Sequence, residues 1–221
     1  IIPAGVVIMG RTSNDYLVVN RGSKIIANGT RSAPIRFTHN TAIDGTVTEN
    51  ERGLWGGIVI LGKAPINKCS NDVRGTAACE RVVEGSDALM GGATPDDDSG
   101  KLNFVRVEYA GYEIFPGNEL NGITFGGVGS GTMVDYVQVH NNQDDCVEFF
   151  GGTVNVKHLI WLQNRLAIGH TSMKQKEGPS PAPFFTFPPA AYPAAAVGFF
   201  PGVSASCTAT SAPSAFLSPA G

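Results

Sequence analysis

The sequence predicts an all-β solenoid of parallel coils followed by an irregular tail rich in Pro and Ala, and three observations predict it. Three ten-residue lines can be written over one another: Leu102-Asn-Phe-Val-Arg-Val-Glu-Tyr-Ala-Gly111, Met133-Val-Asp-Tyr-Val-Gln-Val-His-Asn-Asn142 and Asn155-Val-Lys-His-Leu-Ile-Trp-Leu-Gln-Asn164. Each alternates apolar residues and closes in a small or amide turn. Between them stand Gly122-Ile-Thr-Phe-Gly-Gly-Val-Gly and Cys146-Val-Glu-Phe-Phe-Gly-Gly-Thr, short strands that end in paired glycines. A strand module recurring about every 20 to 30 residues marks a solenoid. Composition agrees: 16% of the 221 residues are charged and 28 are glycine, so helix formers are few and turn formers many.

Taken in order, Val6–Met9, Tyr16–Val19, Lys24–Ala27, Ile35–Thr38 and Gly57–Leu61 read as strands between glycine turns. No segment carries apolar residues at helical spacing over three turns. Ile1 and Ile2 look like the end of a strand, which points to an amino terminus trimmed after removal of a secretion signal. Residues 69–101 are polar and hold Gly91-Gly92 and Asp96-Asp97-Asp98-Ser99-Gly100. They read as an insertion looping out of the solenoid, long enough to be a functional loop. Coils resume from Leu102 to about Ile160, so the solenoid domain is assigned to residues 1–160. Inward Val, Ile, Leu and Phe stack coil on coil at about 4.8 Å. Glycine supplies the positive φ that corners need, and Asn141, Asn142 and Asn164 fall at equivalent corners, where amides hydrogen-bond along the stack.

Beyond Trp161 the character changes. Nine of the fourteen prolines lie after residue 178 and no Asp follows Asp145. Proline removes ladder donors, so residues 161–221 form no central strand; they are a linker, an extended segment along the solenoid, or out-of-frame sequence. The net charge of −3 comes with scattered Lys and Arg, which argues against nucleic acid as a partner. No run of eighteen apolar residues spans a bilayer. Cys69 and Cys79 bracket a polar loop without Cys-x-x-Cys spacing, and a disulfide closing it places the protein outside the cytoplasm. The pairing of Cys146 and Cys207 is left open.

Gly53-Leu-Trp-Gly-Gly-Ile-Val-Ile-Leu-Gly62, Val105-Arg-Val-Glu-Tyr-Ala-Gly111, Glu119-Leu-Asn-Gly-Ile-Thr-Phe-Gly-Gly-Val-Gly-Ser-Gly-Thr132, Asp135-Tyr-Val-Gln-Val-His-Asn-Asn-Gln-Asp-Asp145 and Val147-Glu-Phe-Phe-Gly-Gly-Thr-Val-Asn-Val-Lys157 carry a resemblance. Through them residues 1 to about 160 resemble a family of secreted bacterial right-handed parallel β-helix proteins of pectate-lyase-like type. The resemblance implies export, an extracellular, cell-surface or periplasmic location, and repeated coils; it brings no agreed catalytic residues. Cys146 departs from the glycine the family uses there. The coil expected after Ile160 is missing, which leaves an uncapped end open to self-association or to coverage by the tail.

Two acidic sets are candidate sites. Asp144, Asp145 and Glu148, with His140 just before, fall on a coil corner, where oxygen ligands suit Ca²⁺; the competing reading is an Asx turn that caps the corner. Asp96, Asp97 and Asp98 form the second set, a metal site or a solvated run. A lyase needs a basic group beside the metal, for which Arg106 and Lys157 are available, whereas a hydrolase needs an acid and a base or a metal-bound water. Glu108, Glu113 and Glu119 are spare carboxylates near Tyr109 and Tyr112. Trp55, Tyr109, Tyr112, Phe115 and Tyr136 offer an aromatic platform for sugar rings, or core packing.

No Gly-x-Ser-x-Gly elbow occurs, the four histidines lack zinc spacing, and Gly126-Gly127 and Gly151-Gly152 precede no helix, so they are turns rather than phosphate cradles. The first expectation is therefore an exported surface or adhesive domain with a Ca²⁺-stabilised corner and glycan contact. Its alternative is a Ca²⁺-dependent hydrolase or lyase acting on a polysaccharide, or on a small ester or lactone, with Asp144, Asp145, Glu148 and His140 as its site.

Overall fold

The computed structural model describes residues 1–162. Four coils wind parallel to one another and a fifth begins. Coil one holds β1 (Val7–Gly10) and β2 (Tyr16–Val19), and coil two holds β3 (Ile25–Asn28), β4 (Ile35–His39), the single turn α1 (Asn40–Ile43) and β5 (Gly57–Leu61). An insertion carrying β6 (Arg81–Val82) and β7 (Leu89–Met90) follows. Coil three is β8 (Gly100–Glu108), the small hairpin β9 (Glu113–Phe115) and β10 (Asn118–Glu119), and β11 (Ile123–Gly126). Coil four is β12 (Met133–His140) and β13 (Val147–Phe150), and β14 (Asn155–Leu162) opens coil five.

One sheet runs β1-β4-β8-β12-β14, with β3 also on β8, and a second runs β13-β11-β5-β2; every pairing in both is parallel. Register stacks like on like. Ile35, Val105, Val137 and Leu159 form one inward column; Leu17, Ile58, Ile123 and Val147 form another. The apolar side of the alternation thus makes one core along the axis, as expected of period-two strands with one face inward.

One corner, repeated on three coils, departs from the expected glycine. β8, β12 and β14 each bend once, at Phe104, Tyr136 and His158, whose φ values are 47°, 51° and 45°. A left-handed residue with a side chain costs about 1–2 kcal/mol. Stacking offsets it: the Phe104 and Tyr136 rings lie 4.5 Å apart and nearly parallel, and the Tyr136 and His158 rings 4.3 Å apart. His158 Nδ1 also sits 2.7 Å from Asp135 Oδ1. Tyr136→Ala keeps the strained backbone and loses both stacks, so the urea midpoint should fall by the equivalent of about 1–2 kcal/mol; an unmoved midpoint would contradict this account of the corner.

The insertion does not loop out as the polar composition predicted. Cys79, Val83 and Met90 from it, with Ile66 just before it, pack with Val59, Leu61 and Leu120 into a second apolar cluster. The cause is β5, buried at all five positions: its Val59 and Leu61 point out of the main core and need a cover. Cys69 and Cys79 form the expected disulfide, with Cα atoms 5.0 Å apart. The paired glycines are turns, as expected: Gly127, Gly151 and Gly152 have φ of 58°, 66° and 83°, and the Gly127 N–H donates to the Phe150 carbonyl on the next coil. Asn164, Cys207, the Pro-rich tail and whatever follows β14 lie outside the described residues.

Candidate functional site

Two polar groupings lie on the outside of coils two to four. The first occupies the sheet face of β4, β8 and β12. Because Ile35, Phe37, Val105, Val107, Val137 and Val139 point inward, the residues between them point outward. Arg36, Arg106 and Gln138 are in register, and Glu108 is in register with His140. Thr38, one residue beyond the Phe37–Val107 pair, continues the second row.

Although outward, Thr38 and Glu108 are buried. The connection of residues 44–55 lies across this edge: Leu54 N–H donates to Tyr109 O, Gly53 N–H to Ala110 O, and Asn141 Nδ2 to Glu49 O. Trp55 Nε1 donates to Glu108 O at 2.8 Å. The buried Glu108 carboxylate is held from both sides, by Arg36 Nη2 at 2.8 Å and Arg106 Nη2 at 3.0 Å. Burial lowers the His140 pKa, more than the neighbouring Glu108 charge raises it, so the ring is neutral at pH 7. Burial, then Glu108, raises the Tyr109 hydroxyl. The two rings meet edge to face at 5.7 Å.

The second grouping is the corner between β12 and β13. Asn142 Nδ2 donates to Asp145 O at 2.7 Å and closes it. Gly111 on the coil before has φ 89°, and a Cβ there would stand 2.9 Å from Asp144 N, so the two corners approach as backbone on backbone. Asp144 touches solvent but is crowded by the surrounding chain. That desolvation, then the negative charges of Asp145, Glu119 and Glu84, pushes its carboxyl from 3.8 up to about 6. Four carboxylates from three segments thus share one region: Glu84 from the insertion, Glu119 from β10, and Asp144 and Asp145 from the corner.

The sequence candidates are therefore divided. Asp144 and Asp145 are together, joined by Glu119 and by Glu84, which no motif had marked. Glu148 lies on β13, where Asn121 Nδ2 donates to its Oε2 at 2.8 Å. His140 belongs to the sheet face with Glu108. Asp97 and Asp98 fasten the insertion to the solenoid: Asp97 Oδ2 accepts from Lys63 N at 3.0 Å, and Asp98 Oδ2 pairs with Lys24 Nζ at 2.5 Å. Asp96 runs beside them against Gly131. Among the described residues no group of three or more His, Cys, Asp or Glu is placed to hold a metal ion.

The aromatic residues form no common platform. Trp55 is buried, Tyr109 faces His140, and both faces of Tyr136 are taken by its stack. Arg36 was missed, yet writing Ile35-Arg-Phe-Thr38 over Val105-Arg-Val-Glu108 and Val137-Gln-Val-His140 would have placed Arg36 on Arg106 and marked the face.

Stacked parallel coils around an apolar axis define a parallel β-helix domain. Residues 1–167, more than half of the chain, match the model of the pectate-lyase like beta helix domain. The chain belongs to that family. No curated protein and no solved structure matches it.

Proposed function

We propose that this is an exported glycan-binding β-helix domain whose contact is the carboxylate corner of Asp144, Asp145, Glu119 and Glu84. The observation that carries the reading is that Asp145, Glu119 and Glu84, from the corner and two other segments, lie near enough to the exposed Asp144 for their charges to raise its carboxyl. Ionised carboxylates offer acceptors only, so the corner suits a ligand rich in donors, such as the hydroxyl groups of a neutral glycan. Like charge disfavours a polyuronate at this place. The Cys69–Cys79 disulfide supports an extracellular, cell-surface or periplasmic location. No helix among the described residues is long and apolar enough to cross a membrane.

One observation favours a second reading, hydrolysis of the glycan. A carboxyl with a pKa of about 6 keeps part of its proton near neutrality, which suits a general acid. The test is retention on, and release of reducing ends from, an immobilised neutral glucan, a glucosamine polymer and a polyuronate. The Asp144→Asn, Asp145→Asn double variant is compared with the parent. Retention on the neutral glucan that is lost in the variant supports binding, and release of reducing ends lost with it supports hydrolysis. Equal retention by parent and variant would remove the corner from the function.

Both readings work through the carboxyl groups themselves. Melting temperatures in chelator and in excess Ca²⁺ should therefore coincide, and a rise with Ca²⁺ would return a cation to the corner.

A further inference from the structure

We propose that the outer face of β4, β8 and β12 is an oxyanion site, in which Arg36 and Arg106 together hold a carboxylate or sulfate group. It is distinct from the carboxylate corner, and neither proposal depends on the other.

Glu108 is the carboxylate that both guanidinium groups reach, one through Oε2 and the other through Oε1. The second arginine stands one coil away in register, and Glu51 on the neighbouring connection joins Glu108 in facing the two positive charges. Each guanidinium has five N–H donors and is committed to Glu108 through Nη2. The arginine side chains remain 32% and 38% exposed, while Glu108 beneath them is 3% exposed. Both arginine side chains are therefore partly open to solvent over a buried counter-charge, with their Nε atoms buried, on strands spaced by the coil repeat of about 4.8 Å.

Polar atoms around this pair lack partners. Arg36 Nε, Arg106 Nε, Thr38 Oγ1 and His140 Nδ1 are buried without a hydrogen bond. Thr38 is wholly buried. Buried polar groups are normally satisfied, and a cluster of orphans on one face points to a water or ion belonging there. The neighbouring connection of residues 44–55 shelters this edge, and a sheltered guanidinium attracts an anion more strongly than one in bulk water. Two guanidinium forks match the planar oxygens of a carboxylate or the tetrahedral oxygens of a sulfate.

The full chain is titrated calorimetrically with sodium sulfate and with sodium acetate at ionic strength held constant with chloride. Parent protein should bind at least one of them. Arg36→Gln and Arg106→Gln should each weaken binding about tenfold or more. Glu108→Gln removes the counter-charge while keeping both arginines, and should tighten binding about tenfold.

Circular dichroism melts establish that each variant is folded, and Arg106→Lys, which keeps the charge, stands in if Arg106→Gln is not. Lysine lacks the fork, so Arg106→Lys should also weaken binding. A sulfated glucan and a polyuronate then separate the two sources of the oxyanion. No heat with sulfate or acetate, unchanged affinity in the folded arginine variants, or weaker binding by Glu108→Gln would each overturn the proposal.

Discussion

Phe125→Ala should destabilise the protein by about 3–5 kcal/mol, the range for emptying an aromatic site in a core that cannot collapse. Phe125 is 1% exposed and stands in the middle of its column, in register with Ile60 on one coil and Phe149 on the next. Its ring stacks on Phe149 with centroids 5.2 Å apart. Neighbouring coils are fixed by parallel ladders on both sides, so they cannot close the gap. Since a domain's whole stability is of the order of 5–15 kcal/mol, the variant should be partly unfolded at physiological temperature. The check is the urea midpoint together with near-ultraviolet dichroism. A loss of less than about 1 kcal/mol would mean that the column is not packed as described.

Asp144→Asn should change how stability depends on pH. In the folded protein Asp144 titrates near 6, against 3.8 when unperturbed. Below about 3.8 both states hold the proton and the group contributes nothing to the balance. Between 3.8 and about 6 the unfolded chain releases its proton first, so folding stability falls as pH rises through this window. Above 6 the loss is complete and constant. Asparagine carries no proton to lose, so the variant's stability relative to the parent's should increase across this window and exceed it at pH 7. Melting curves from pH 3.5 to 7.5 provide the comparison; a parent whose stability rises between pH 4 and 6 to the same extent as the variant's would show that Asp144 titrates normally.

The coils were legible because their physics is local and repeated. Val137 and Val139 fall over Val105 and Val107 in the written sequence as they do in the register. The packing of the insertion was missed because its composition is polar on average, while the few apolar residues that matter, Cys79, Val83 and Met90, are scattered. The clue lay instead in Gly57-Ile-Val-Ile-Leu61, a strand without alternation, which demands cover on both faces. The corners were assigned to glycine, yet Phe104, Tyr136 and His158 adopt positive φ, and only their stacking from coil to coil makes this tolerable.

At the candidate site the pair Asp144-Asp145 was visible as adjacent residues. Glu84 and Glu119 were not, because they arrive from segments 60 and 25 positions away in the chain and their meeting depends on how the insertion and the β9–β10 hairpin fold back. Grouping Glu148 and His140 with the aspartates followed from closeness in sequence. Successive strands of a coil lie in different sheets, so His140 on β12 and Glu148 on β13 face different surroundings.

The most direct test of the glycan reading is the affinity of the full chain for a soluble neutral glucan, measured from pH 4 to 8 for parent and Asp144→Asn. A hydrogen bond to an ionised acceptor is stronger than one to a neutral group, so the parent's affinity should rise about fivefold as Asp144 loses its proton near pH 6. The variant should bind more weakly and show no such step. A parent whose affinity does not change through pH 6, or a variant that keeps the same step, would contradict the assignment of the carboxylate corner as the contact surface.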